Sequence, residues 1–309
     1  MIKLQKILKI KLPFKLWLLV LVILGFLTVL LLSNVFVTFK QEKNVISNNS
    51  KTLKQTESSS VSVKNTSTPT IKRTSQALVP VFSGNQIKVP VLYYHYVGNN
   101  PNSADLQRDV LSISPDKFAE QMKYLKDNEY TTISYDTLYA AFGNPAILPS
   151  KPIILTFDDG YIDFYYNAYN IIRVNGLSAT VFIPTGLVGE PSYLTWAMIQ
   201  EMYSSGSIHF GAHSVHHYHL ASLSPEAALK ELTESKKDLQ DRLGININYM
   251  AYPYGETSSG LVSLVQKAGY VGAIGTWSNK IQSQGTIYNS PRLRISGLID
   301  INSFASLLQ

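Results

Sequence analysis

The stretch KPIILTFDDG, residues 151–160, sets the apolar run Ile153-Ile154-Leu155-Thr156-Phe157 directly before Asp158-Asp159-Gly160. A short, partly β-branched apolar run that ends in a turn signal reads as a buried strand. Working outward, the same pattern predicts strands at Val89–Tyr94, Thr180–Ile183, Ile208–Ala212, Tyr249–Tyr252 and Val271–Gly275. Helical patterns fall between them. Ser114-Pro115 opens DKFAEQMKYLKDN and Ser224-Pro225 opens EAALKELTESKKDLQDRLG, each a cap followed by a first-turn proline, and Gly244 closes the second. Residues 165–175, 196–203 and 261–268 complete the alternation. Strands alternating with helices over this length imply an α/β fold with parallel strands, as a barrel or as an open doubly wound sheet, and periodicity leaves both open.

The chain has 309 residues, 45% hydrophobic and 16% charged, enough to bury one large core. With no Cys, a disulfide framework, a thiolate metal site and a cysteine nucleophile are excluded. The net charge of +6 is unevenly placed. Residues 1–80 hold 12 Lys/Arg against Glu42 and Glu57, so residues 81–309 hold 15 Lys/Arg against 19 Asp/Glu. The basic balance belongs to the N-terminal region, and nucleic acid is not expected as a partner.

Residues 16–39, LWLLVLVILGFLTVLLLSNVFVTF, are 24 uncharged and mostly apolar residues. As a helix they would reach roughly 36 Å, enough to cross a ~30 Å hydrocarbon core. Five lysines precede them without an acid, which places a basic segment, 1–15, on the cytoplasmic side. A cleaved signal peptide is the alternative, but the run is long for one and lacks a small-residue end, so a retained transmembrane anchor is expected. Residues 40–84 are dominated by Ser, Thr, Asn and Lys without apolar period and read as a disordered linker. This organisation implies a cell-membrane location, single-pass, with residues 85–309 as an extracellular domain.

Polar clusters follow the predicted strands. Asp158-Asp159-Gly160 follows one, His213-Ser214-Val215-His216-His217-Tyr218-His219 another, Tyr252-Pro253-Tyr254-Gly255 a third, and His95 a fourth. In an α/β barrel the C-terminal strand ends share one face, so these groups would converge. Taken singly, Asp-Asp-Gly is an ordinary turn signal, and the His-rich run is compatible with a generic loop. Taken together, two imidazoles and a carboxylate suit a divalent ion with open coordination positions. Such an ion lowers the pKa of bound water towards ~7, and a second carboxylate can then accept that water's proton.

TFDDG, then HSVHHYHLASLS with its H-x-x-x-H spacing, then the Pro-Tyr-Gly loop, resemble the NodB-homology polysaccharide deacetylases, carbohydrate esterase family 4. The resemblance runs from about Val89 to the C-terminus and implies a distorted (β/α) barrel. It implies Asp158 as catalytic base, Asp159, His213 and His217 as metal ligands, and the Tyr254 backbone N–H as an oxyanion donor. His216 and His219 match no ligand position and read as rim residues. The family's third motif begins with an Arg, where this chain has Ala251, and its late Leu-x-x-His motif is absent from its usual place. Leu92-Tyr93-Tyr94-His95 has the form of that late motif moved to the first strand, which resembles the permuted branch acting on poly-β-1,6-N-acetylglucosamine. First and last strands of a closed barrel are neighbours, so His95 is expected as general acid. Arg292 is expected to replace the missing arginine, with Arg294 as its competitor.

The resemblance therefore implies a metal-dependent amide hydrolase that removes N-acetyl groups from N-acetylglucosamine units of an exopolysaccharide. Zn2+ is the expected ion, with Co2+, Ni2+ or Mn2+ as alternatives. Tyr93, Tyr96, Trp196 and Trp277 are expected either to stack on sugar rings or to belong to the core and rim. Peptidoglycan N-acetylglucosamine is the rival substrate. An inactive glycan-binding module is the rival of another class, and a protein of assembly only, acting through its basic N-terminus, is a third reading.

Overall fold

Seven parallel strands form a path along one sheet: β1 (Val91–Tyr94), β2 (Pro152–Phe157), β3 (Ala179–Ile183), β4 (Ile208–Ala212), β5 (Tyr249–Ala251), β6 (Gly272–Ile274) and β7 (Leu293–Arg294). Their spatial order is β6-β5-β4-β3-β2-β1-β7, so the last strand lies beside the first. The computed structural model describes residues 85–102 and 104–309. The expected cytoplasmic segment 1–15, membrane span 16–39 and linker 40–84 lie outside the described residues. The expected membrane location does not stand. Among the described residues no helix is long and apolar enough to cross a membrane, and the 19-residue helix Pro225–Leu243 interleaves Lys, Glu and Asp with its apolar positions.

The distorted (β/α) barrel expected takes the form of a curled parallel half-barrel. Its two edges are linked by the segment that leads into β7. Ser290 bridges Ile274 of β6 in parallel, its N–H donating to Ala273 O at 3.0 Å and its carbonyl accepting from Gly275 N at 2.9 Å. Three residues later Leu293 pairs with Leu92 of β1. One short segment thus replaces a regular strand at the seam.

Alternation along the strands sorts the core into two clusters. Leu92, Leu155, Phe157, Val181, Ile183, Ala212 and Met250 face one way, against the buried residues of the surrounding helices, such as Phe118, Met122, Ile199, Leu232 and Val265. Val91, Ile154, Phe182, Ala251 and Ile274 face the other way, into the concavity, where Tyr135 and Leu138 of the helix Tyr135–Ala141 fill one end. The same period of two carries Thr156 and then Asp158 to that concave side. Helix starts follow their caps. The Ser114 hydroxyl accepts from Lys117 N and that of Ser224 from Ala227 N, each with Pro next, and Gly244 ends its helix in the left-handed region at φ 68°.

Candidate active site

The segments that follow β1, β2, β4 and β5 meet at one end of the sheet. His95, Asp158, Asp159, His213, His217 and Tyr254 all line a single cleft of about 520 Å³. These six were expected from sequence to share a site. Tyr161, Tyr193, Thr276 and Arg294 line it too, with Gln107 and Leu111 of the short helix Leu106–Leu111. That helix gave no recognisable sequence signal, being one and a half turns long with no buried residue.

Asp159, His213 and His217 present ligand atoms that all lie within 4.8 Å of one another. The Nε2 atoms of His213 and His217 stand 3.3 and 3.2 Å from Asp159 Oδ1. His213 Nδ1 lies 2.8 Å from the Ala251 carbonyl, which only accepts, so Nδ1 carries the hydrogen and Nε2 turns its lone pair towards Asp159. Asp159 Oδ1 is buried and receives no hydrogen bond. A buried carboxylate oxygen without a donor, faced by an imidazole lone pair, fits a divalent cation between them.

Asp158 is joined to Arg292 rather than to the triad. Arg292 Nη1 donates to Asp158 Oδ1 at 2.7 Å and Nη2 to Oδ2 at 2.8 Å, a two-pronged ion pair. Arg292 is fully buried. Its Nε donates to Gly275 O at 2.9 Å, Nη1 also to Thr156 Oγ1 at 3.1 Å, and its guanidinium carbon lies 4.4 Å from the Tyr93 ring centroid. Each of the three guanidinium nitrogens thus donates to an acceptor inside the half-barrel. Burial alone would raise the Asp158 carboxyl, yet the charge and hydrogen bonds of Arg292 bring it below the usual value. The expected substitution of Arg292 for the arginine missing at Ala251 is present as geometry. Arg294 is exposed on the cleft wall and makes no ion pair with Asp158.

Backbone strain concentrates here. Among the described residues six non-glycine residues have positive φ: Glu129, Asp159, Ser192, Ser214, His217 and Tyr254. Four of the six belong to the site, as expected where surrounding contacts hold a functional geometry. Asp159 is followed by Gly160 at φ 64°, whose missing Cβ would sit 2.9 Å from Ile183 Cδ1. Tyr254, at φ 59°, lays its ring flat on His219 at 3.8 Å and meets His217 at 4.6 Å. Burial lowers the His95 imidazole below its ordinary value.

The expected aromatic platforms divide. Tyr93 lines the cleft but lies under Arg292 and is 4% exposed, so it backs the ion pair rather than offering a face to a sugar. Trp196 starts the helix Trp196–Ser204 away from the cleft lining, with Arg242 5.1 Å from its ring. Trp277 also lies off that lining. Its Nε1 donates to Asn289 O at 2.7 Å and its carbonyl accepts from Arg292 N at 3.1 Å, so it braces the seam segment. Tyr96 stacks on Tyr161 at 3.7 Å, beneath Arg108. Sequence leaves both tryptophans open between sugar platforms and core or rim, because their partners come from distant segments that spacing does not reveal.

A cation-fitting triad beside an arginine-clamped carboxylate, at one end of a curled parallel sheet, defines a hydrolase of the metal-assisted class. Residues 146–273 form a domain that matches the family model for polysaccharide deacetylase. YxkH of Bacillus subtilis is 27% identical over 222 residues, 72% of this chain and 76% of YxkH. The poly-β-1,6-N-acetyl-D-glucosamine N-deacetylase of Staphylococcus aureus is 29% identical over 201 residues, 60% of this chain and 68% of the relative. Among solved structures, the Streptococcus pyogenes deacetylase PplD in complex with acetate has a TM-score of 0.68 at 28% identity and covers 73% of this chain and 100% of PplD.

Proposed function

We propose that this domain removes N-acetyl groups from N-acetylglucosamine units of an exopolysaccharide of the poly-β-1,6-linked type. The observation that carries the reading is the pair of adjacent carboxylates with separate partners: Asp159 facing two imidazoles and Asp158 held by Arg292. The likeness to the S. aureus enzyme and the histidine supplied from the first strand favour the exopolysaccharide.

Asp159, His213 and His217 would hold the ion, zinc in our assignment. When bound there it supplies a Lewis acid and a more acidic water. Asp158, ionised at neutral pH because Arg292 holds it low, takes the proton of the attacking water. Arg292 occupies one lone pair on each carboxylate oxygen, and an ionised carboxylate has about four, so an acceptor site remains. The Tyr254 backbone N–H donates to the oxyanion, and the left-handed turn at Tyr254-Gly255 fixes that amide at the cleft wall. His95, once protonated, delivers a proton to the departing sugar amine while Asp158 passes the water's proton on to solvent, leaving acetate and a glucosamine unit.

The test is acetate release from β-1,6-linked N-acetylglucosamine oligomers compared with peptidoglycan fragments at equal acetamide concentration. Faster release from the β-1,6 oligomers supports the reading. Release from peptidoglycan fragments alone would replace the substrate, and release from neither would overturn the assignment.

A further inference from the structure

One buried acid outside the expected site grips the segment that carries two of the three ligand residues. Glu231 lies in mid-helix within Pro225–Leu243 and is 9% exposed. Its Oε2 accepts from Val215 N at 3.0 Å and from His216 N at 2.8 Å, and its Oε1 faces His216 Nδ1 at 2.7 Å. All three bonds go to the stretch between His213 and His217. We propose that Glu231 is a positioning residue for cation binding: it fixes His217 opposite Asp159 by holding the Val215-His216 backbone. The proposal rests on the Asp159-His213-His217 triad being a metal site, not on the choice of polysaccharide.

The two imidazoles are secured differently. His213 directly follows β4 and is tied to strand β5 through Ala251 O, so sheet geometry places it. His217 lies beyond one positive-φ residue, Ser214 at φ 62°, and has a positive φ itself, 57°. Its own backbone tie is the bond from His217 N to Ser214 Oγ at 2.9 Å, within the same loop. An anchor from outside the loop is therefore needed, and one side of it is Glu231. The other side is the turn at Thr185-Gly186, whose N–H groups donate to Ser214 O at 3.2 Å and Val215 O at 2.9 Å. That turn must approach closely, since a Cβ at Gly186 would lie 3.0 Å from Val215 O and 2.9 Å from Val215 Cγ1. Asp238, two helical turns beyond Glu231, accepts from Thr185 Oγ1 at 2.9 Å and joins this turn to the same helix. The loop is thus clamped between its two neighbours, with a carboxylate satisfying the N–H groups and backbone N–H groups satisfying the carbonyls. Charged acceptors make shorter and stronger bonds than neutral ones, which suits a group that must hold strained backbone.

Glu231→Gln keeps the volume but removes the negative charge from the acceptor of Val215 N and His216 N and places an NH2 group at one of the two oxygen positions. Partners of this kind, one step removed from the ligands, typically change metal affinity 10–100-fold. The measurement is Zn2+ affinity of the full chain by competition with a chromophoric chelator, together with deacetylation across a zinc titration and melting of the metal-free protein. The expected result is zinc binding weakened 10–100-fold, turnover restored towards the parent value at saturating zinc, and metal-free melting close to that of the parent. A folded Glu231→Gln protein with unchanged zinc affinity overturns the proposal. So does one whose turnover stays low at saturating zinc, because a general structural defect would not yield to added metal. If Glu231→Gln does not fold, His216→Ala removes only the Oε1 bond and is expected to weaken zinc binding several-fold, and unchanged affinity there overturns the proposal. Failure of deacetylation in the parent protein, with zinc affinity still lowered by the substitution, would count against the proposed substrate and leave the positioning role standing.

Discussion

Replacing Arg292 by Met isolates the buried ion pair. The side chain fits the slot beside Tyr93 but leaves Asp158 without either donor, and leaves Gly275 O and Thr156 Oγ1 without the guanidinium. Both members of the pair are nearly or fully buried, Arg292 at 0% and Asp158 at 4% exposed. Breaking such a pair from one side costs about 3–5 kcal/mol, because an uncompensated charge remains. Against a typical domain stability of about 5–15 kcal/mol that is a large share. At about 2–4 °C per kcal/mol for a domain of this size, the melting temperature should fall by roughly 6–20 °C. The sign of the pH effect follows from the direction of the shift. Asp158 is held below its ordinary value, so the pair's contribution is fully present above pH ~3.9 and is lost as pH falls through the lower folded value. In the variant the main counterweight to burial is gone and the carboxyl rises. The acidic limb of the kcat/KM profile should therefore move to higher pH, while the double variant Asp158→Asn/Arg292→Met should regain part of the lost melting temperature. Calorimetry and a pH–rate profile read all three effects. A single variant that melts within about 2 °C of the parent, with its acidic limb unmoved, would refute the reasoning.

Other perturbations separate the remaining roles. His95→Ala should lower kcat by about 10²–10⁴ while zinc content stays at the parent level, as measured by kinetics and atomic emission; loss of zinc would make it a ligand instead. Tyr254→Gly keeps the backbone N–H and relieves the positive φ, so kcat should stay within about tenfold, whereas a larger loss would assign the work to the ring. Asp163 is a partly buried acid whose carboxyl burial pushes up to about 6, with Oδ1 unbonded. A raised acid favours the fold in its neutral form and that contribution fades as pH rises through 6, so Asp163→Asn should stabilise by on the order of 1 kcal/mol at pH 8 and little at pH 4, read by melting at both pH values. Chelation should lower the melting temperature as well as abolish turnover, since zinc at ~100 times its Kd adds about 2.7 kcal/mol to the folded state.

The strands were legible because each is a short apolar run ended by a turn signal, and the site was legible because its polar residues stand directly after those runs. Asp158, Asp159, His213 and His217 needed only position in sequence to be gathered. Arg292 was reachable as a residue left over near the last strand, but its choice over Arg294 depends on the seam at Ser290–Leu293, which shows no strand pattern. Glu231 looked like one more acid in a charged helix, because its three partners lie on a loop 15 and 16 residues upstream. The tryptophans stayed open for a related reason: large aromatic residues suit a sugar face and a packed seam equally well, and only tertiary contacts distinguish them. The closed barrel was an inference from the resemblance, and the structure replaces one side of it with the segment Ile287–Arg294 held by a single bridge to β6.

The central claim is that Asp159, His213 and His217 enclose one cation while Asp158 stays outside its ligand set, paired with Arg292. Anomalous diffraction at the zinc edge, on crystals of the zinc-loaded protein, tests it most directly. The account predicts a single strong peak in contact with Asp159 and both imidazoles, with the Asp158–Arg292 pair intact beside it. A peak elsewhere on the chain, or none at the triad, would contradict it.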